Sequence, residues 1–189
     1  MIAIVLLFSV FSTALQAAAQ LEVDSNASGP FSLIDHSGNP VTDRDFGGKF
    51  MLVFFGYTSC PDVCPMDLQI IAQVIDELGE AGDRLQAIFI SVDPARDTPE
   101  VVAQYASHFH PRLIGLSGSR QQTAAAARNY GVISMKFIDE KDPGNYSINH
   151  SALIYLLGPD GKFVAAFEHG TDLETLTAGV MQHLAKPVE

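Results

Sequence analysis

The chain has 189 residues, 47% of them hydrophobic, 17% charged, and a net charge of −11. That length suits one domain with a substantial core and is short for two. Lys and Arg number 11 against 22 Asp and Glu, with no basic cluster. This argues against a nucleic-acid surface, which needs grouped cations to neutralise phosphates; the acidic surface is mostly a solubility feature that also suits a basic docking partner.

Residues 2–15 are an apolar run interrupted by Ser9, Ser12 and Thr13, and Ala17, Ala18 and Ala19 then resemble a small-residue cleavage site. No Lys or Arg precedes Arg44, so the positive start of this segment is the terminal amine alone. The run falls short of the roughly 20 apolar residues that span a bilayer, unless the three alanines extend it. Residues 1–19 are therefore expected to be a signal peptide or an N-terminal membrane anchor. No cysteine follows the segment, which excludes a lipid anchor there, and the lack of an Arg-rich amphipathic start argues against a mitochondrial transit peptide. The expected location is an oxidising extracytoplasmic space, a bacterial periplasm.

Residues 20–30 are polar and read as a linker; residues 31–186 read as the domain proper. A short strand is expected over 31–35 with a turn at 36–40, then a buried apolar strand over 51–56. A helix over 66–78 carries Leu68, Ile71, Ala72 and Ile75 at three- and four-residue spacing, with Pro65 opening it. A second apolar strand covers 85–92. The next helix runs to about residue 108, with Thr98 as cap and Pro99 at its first position. A strand over 113–116 and an Ala-rich helix over 119–130, closed by Gly131, follow. Strands over 152–157 and 163–167 flank a Gly-Pro-Asp-Gly turn, and a last helix spans 172–184. Strand–helix alternation followed by a hairpin and a final helix predicts an α/β fold, a thioredoxin-like sandwich with a central mixed sheet flanked by helices.

Cys60 and Cys64 are the only cysteines, in Tyr57-Thr58-Ser59-Cys60-Pro61-Asp62-Val63-Cys64-Pro65. They fall after the first central strand and before its helix, where thioredoxins carry theirs. The unpaired N–H groups and dipole at that helix start favour thiolate over thiol. Two cysteines in an exported chain pair by default. A four-residue spacing closes almost no loop, however, so a bridge here contributes little entropic stabilisation. Function outweighs stapling. Dithiol oxidoreductases typically space their cysteines as C-x-x-C, one residue closer than here.

In the inferred sheet the strand over 152–157 runs antiparallel to that over 51–56, so its start lies beside the end of the other. No proline occurs between Pro143 and Pro159, where many such folds place a cis-proline; His150 stands there instead. Two thiolates and an imidazole make a three-ligand site. Soft sulfur selects Cu(I), imidazole suits either copper oxidation state, and a closed zinc site usually wants a fourth ligand. The other histidines, His36, His108, His110, His169 and His183, lack such a position. His108 and His110 end a helix and suit its C-terminal dipole.

Three blocks now resemble one family. These are residues 55–65 with both cysteines, Ser91-Val92-Asp93-Pro94-Ala95-Arg96-Asp97-Thr98, and Asn149-His150-Ser151 through residue 161. In order and spacing the chain resembles, from about Phe31 to the last helix, the Sco/SenC family of copper-binding cytochrome c oxidase assembly proteins. The resemblance implies copper, as Cu(I) or Cu(II), held by Cys60, Cys64 and His150. It implies a copper metallochaperone for the dinuclear centre of cytochrome c oxidase subunit II, or another copper protein. The alternative it implies is a thiol–disulfide reductase that reduces that centre's cysteines before metallation, with Cys60 and Cys64 as redox residues and a thiol reductant as further partner. Asn149 stands where the family often carries Asp, which removes one negative charge and one partner near the metal. Family members are commonly anchored by one helix. A thiol peroxidase ranks last, because the Cys60–Cys64 loop contains Asp62 and no cation. Asp93, at the same sheet edge as the cysteines, is expected to start its loop rather than serve the site, Arg96 and Asp97 to form an ion pair or helix cap, and Phe55 and Tyr57 to be core residues rather than to flank the copper.

Overall fold

The computed structural model describes residues 29–142 and 145–185. The expected signal or anchor at 1–19 and most of the linker lie outside the described residues. No helix among those described is long and apolar enough to cross a membrane.

In chain order the elements are β1 (Ser32–Ile34), β2 (Pro40–Thr42), β3 (Phe50–Gly56), α1 (Val63–Glu77), β4 (Leu85–Ser91), α2 (Pro99–Phe109) and β5 (Leu113–Leu116). Then follow α3 (Arg120–Asn129), β6 (Ser134–Ile138), β7 (Tyr146–His150), β8 (Leu153–Leu157), β9 (Phe163–Glu168) and α4 (Leu173–Leu184). The main sheet has the order β5-β4-β3-β8-β9. Its β5, β4 and β3 are parallel, and β8 and β9 run antiparallel. This is the expected mixed sheet of a thioredoxin-like sandwich. Phe54 pairs with Ile154 and Met51 with Leu157, so β8 begins beside the end of β3, as the sequence predicts.

Every residue of β3 is buried. Period-two alternation sends its side chains to both faces. Leu52 and Phe54 enter a core built with Cys64, Leu68 and Ile71 of α1, Val102 and Ala106 of α2, and Leu176 and Val180 of α4. Met51, Val53 and Phe55 enter the opposite core with Leu33 and with Ala126, Ala127 and Tyr130 at the end of α3. Two faces buried by helices explain why β3 and β4 read as unbroken apolar runs.

Local chemistry sets the helix ends. Thr98 Oγ1 accepts the Val101 N–H and Pro99 is the first residue of α2. Ser119 and Gln122 cap α3 reciprocally, and Gly131 closes it at φ +65°. One boundary differs from expectation. α1 begins at Val63 rather than after Pro65, which places Cys64 inside the first helical turn. A proline there is harmless because the N–H it lacks has no intrahelical acceptor.

The hairpin of β6 and β7 is absent from the sequence reading. It forms a separate two-stranded sheet with Ser134 opposite His150 and Lys136 opposite Ile148. His150 thus ends its own strand rather than leading directly into β8.

Candidate metal centre

Three segments converge at the C-terminal end of β3. The loop after β3 carries Cys60, the first turn of α1 carries Cys64, and the end of β7 carries His150. Their ligand atoms all lie within 4.8 Å of one another. Cys64 Sγ is 3.3 Å from His150 Nε2. Cys64 is buried and Cys60 half-buried, and both are free. A metal held at about 2.3 Å by sulfur in a trigonal plane sets its ligands about 4 Å apart, so the cluster closes on one ion with small adjustments. The donor set of two soft sulfurs and one imidazole fits copper.

The histidine is oriented by its other nitrogen. Nδ1 lies 3.1 Å from the Ser151 carbonyl oxygen, which only accepts, so Nδ1 carries the proton. Nε2 then presents its lone pair to the sulfurs, the arrangement metal-ligating histidines use. Burial holds the His150 pKa below its ordinary value, against smaller opposing effects of the Ser151 carbonyl and Asp67. The ring is therefore neutral at neutral pH. The Ser151 backbone supplies the orienting partner. Asn149 is exposed and pairs with Met135 on the hairpin's outer face.

One expectation is corrected. The helix start does not hold Cys64 as a thiolate. Burial pushes its pKa well up, outweighing the Tyr57 N–H that favours the anion, and the nearby Cys60 and Asp67 raise it further. In the metal-free protein Cys64 is a thiol, and metal binding must displace its proton.

Tyr57 is buried yet touches all three ligand segments. Its hydroxyl interacts with Cys60 and accepts the Ile148 N–H at 3.3 Å. Its ring lies edge-on to His150, centroids 6.0 Å apart. Phe54 also lies edge-on to His150, at 6.3 Å. Phe55 faces away, packing on Tyr130 and Tyr155 in the opposite core, so it does not flank the cysteines.

Arg96 and Asp97 do not pair with each other, and Thr98, not Asp97, caps α2. Arg96 Nε donates to Asp93 at 2.5 Å. Asp97 accepts from Thr58 and Ser91. Asp93 joins the hairpin to its loop by accepting the Tyr146 hydroxyl.

A further pair escaped the sequence reading. Asp67, buried on α1 one turn after Cys64, holds His169 Nδ1 at 2.9 Å. Burial raises the Asp67 pKa, and His169 opposes this. The signal was available: with α1 starting at Val63, Asp67 falls on the buried stripe of Cys64, Leu68 and Ile71. Of the other histidines, His110 faces Asp76, His108 bonds its own helix through the Gln104 carbonyl, and His36 is exposed.

Fold and site together define a thioredoxin-like protein with a thiol–imidazole centre at the head of its first helix. The SCO1/SenC family matches residues 19–185, and the chain belongs to that family. Protein SCO2 homolog, mitochondrial, of Mus musculus is 42% identical over 159 residues, covering 83% of this chain and 62% of the mouse protein. Protein SCO1 homolog, mitochondrial, of Homo sapiens is 39% identical over 158 residues, covering 82% of this chain and 52% of the human protein. The chain thus spans about half to three fifths of the length of these relatives. Arabidopsis thaliana ScoI with copper bound superposes with a TM-score of 0.78 at 40% identity, covering 84% of this chain and 98% of that one. Bradyrhizobium japonicum ScoI with copper bound gives 0.75 at 44% identity, covering 82% and 98%.

Proposed function

We propose that this chain is a copper metallochaperone that binds one copper ion through Cys60 Sγ, Cys64 Sγ and His150 Nε2. Its acceptor is the dinuclear copper centre of cytochrome c oxidase subunit II. The observation that carries the reading is the cluster itself, three ligand atoms from three segments within 4.8 Å, with His150 Nε2 turned to sulfur. Family membership and the copper-bound Sco relatives support the choice of metal. Cu(I) favours thiolates, and its binding releases the thiol protons. Cys60 is the more accessible sulfur, so it is the ligand an incoming thiolate of the acceptor reaches first. The apolar run at residues 2–15 supports an extracytoplasmic site of action, in a bacterial periplasm, by export or by anchoring.

The same asymmetry favours a second reading. A half-buried Cys60 beside a buried Cys64 suits an attacking and a resolving thiol. In that reaction the dithiol gives two electrons to a partner's disulfide, becomes a disulfide itself, and is reset by an external thiol reductant.

A Cu(I) competition titration on the full chain under anaerobic, reducing conditions tests the proposal. Wild type holds one copper, His150→Ala weakens it, and Cys60→Ser/Cys64→Ser abolishes it. Weak binding indifferent to His150 removes the three-ligand site and leaves thiol exchange.

A further inference from the structure

The three ligands are not anchored alike. Cys64 is fixed by a helix and His150 by a strand, but Cys60 lies on irregular backbone, held by its N–H to the Tyr57 carbonyl at 3.2 Å and by the Tyr57 hydroxyl. The loop after β4, residues 92–98, supplies no ligand, yet it contacts both the cysteine segment and the histidine segment.

Asp97 faces the cysteine side. It is 1% exposed, and no cation lies within ion-pairing distance of it among the described residues. A buried carboxylate is costly unless hydrogen bonds replace water. Here the Thr58 N–H donates at 3.1 Å, the Thr58 hydroxyl at 2.6 Å and the Ser91 hydroxyl at 2.6 Å. The short contacts are those of charge-assisted bonds. Two of the three come from Thr58, two residues before Cys60. Asp97 itself is fixed, because its N–H donates to the Asp93 carbonyl and its carbonyl accepts the Ser117 hydroxyl.

Asp93 and Arg96 face the histidine side. The Tyr146 hydroxyl donates to both Asp93 oxygens, at 2.9 and 3.1 Å. Arg96 Nη1 donates to the Tyr146 carbonyl at 3.0 Å, and its guanidinium lies 3.7 Å from the Tyr146 ring centroid. The same guanidinium lies 5.5 Å from the Tyr57 ring centroid. Tyr146 opens β7, the strand that His150 ends. Among the described residues the β6–β7 hairpin joins no larger sheet, so these contacts supply attachment that strand pairing there does not.

We propose that the 92–98 loop is a clasp: Asp97 positions Cys60 through Thr58, while Asp93 and Arg96 position His150 through Tyr146. The clasp sets the distance between the sulfurs and the imidazole. It rests on the copper site proposed above and adds positioning residues that touch no metal. Removing such partners typically lowers metal affinity about 10- to 100-fold.

The test is a set of Cu(I) titrations on the full chain with two copper-free measurements beside them. Asp97→Asn and Arg96→Gln each lower Cu(I) affinity by about 10- to 100-fold. In a His150→Ala background Arg96→Gln adds no further loss, whereas Asp97→Asn still does. Without copper, Asp97→Asn moves the midpoint potential of the Cys60–Cys64 pair and Arg96→Gln leaves it in place. Arg96→Gln moves the His150 Nε2 nitrogen resonance and Asp97→Asn does not. Should either carboxylate or guanidinium variant fail to fold, single-bond changes replace it: Thr58→Val against its rescue Thr58→Ser, and Tyr146→Phe. Folded variants with unchanged affinity, potential and resonance overturn the clasp. So does an equal loss on Arg96→Gln in both backgrounds, which marks general destabilisation. If wild type holds no copper, the metallochaperone reading falls, and the potential and resonance still decide the clasp.

Discussion

Cys64 stands on the first turn of a 15-residue helix packed against a five-stranded sheet, and it is completely buried. Among the described residues His150 ends a strand paired only with β6, all of whose residues are exposed. The cysteine half of the site is therefore part of the core, while the histidine half is an attachment to it. Beyond His150 itself, that attachment is fastened at Ile148 by its neighbour Tyr57 and at Tyr146 by its partners Asp93 and Arg96. Such a division suits the metallochaperone role proposed above, in which a metal is held and then given up. Cys64 stays in place with the core, while the imidazole side is held by contacts outside the main sheet.

The largest effect that tests this contrast is on stability. Phe54→Ala removes a ring from the core beneath the site and costs about 3–5 kcal/mol. Phe137→Ala, on the hairpin and 48% exposed, changes stability by about 0.5 kcal/mol or less. Urea unfolding of both variants measures the difference, and similar losses at the two positions would erase the division into core and attachment.

A smaller change sharpens it within the cysteine half. A Cβ on Gly56 would lie 2.7 Å from Cys64 Sγ and 2.9 Å from Phe89 Cε2. Gly56→Ala therefore costs about 1–3 kcal/mol. Because the sulfur must move to make room, Cu(I) affinity falls as well, although no ligand has changed. Loss of stability with wild-type copper affinity would show that Cys64 relaxes without leaving the site.

This division also marks what the sequence discloses. The cysteine half was legible, because β3 and α1 announce themselves by an apolar run and by helical spacing, and both cysteines lie within five consecutive positions. The pairing of β8 with β3 followed from topology, and it brought His150 to the right end of the sheet. The hairpin was not legible. Its outward residues, Met135 and Phe137, are apolar where a half-buried strand would show polar ones, so alternation gives no signal. The clasp was hidden for another reason: Asp97 bonds Thr58 across 39 positions and Asp93 bonds Tyr146 across 53, separations no local pattern encodes. The thiol form of Cys64 is not readable either, because position at a helix start shows in sequence whereas complete burial does not.

Tyr57→Phe tests the first of the two fastenings. It keeps the ring against His150 and removes the oxygen that accepts the Ile148 N–H. Ile148 is buried, so its N–H loses its partner at a cost of about 1 kcal/mol. Hydrogen exchange reads it locally: the Ile148 amide exchanges faster while amides of β3 keep their protection. Equal acceleration in both segments would place the effect in the core instead.

A last contrast separates the halves by pH. Burial lowers the His150 pKa in the folded protein, so below the ordinary value of 6.5 the unfolded chain binds more protons than the folded one. The stability associated with His150 is complete above that value and is lost as pH falls from it toward the folded pKa. Cys64 behaves in the opposite sense. Its folded pKa is raised above the ordinary 9.0, so the folded chain keeps a proton that the unfolded chain has released. Its contribution is complete below 9.0 and is lost as pH rises beyond it. Metal-free protein should therefore lose stability at the acid end through its histidine half and at the alkaline end through its cysteine half. Denaturant unfolding across pH, with His150→Gln and Cys64→Ser beside wild type, separates the two. The histidine variant flattens only the acid limb, and the serine variant only the alkaline one. If either variant flattened the other's limb, the two halves would titrate as one unit.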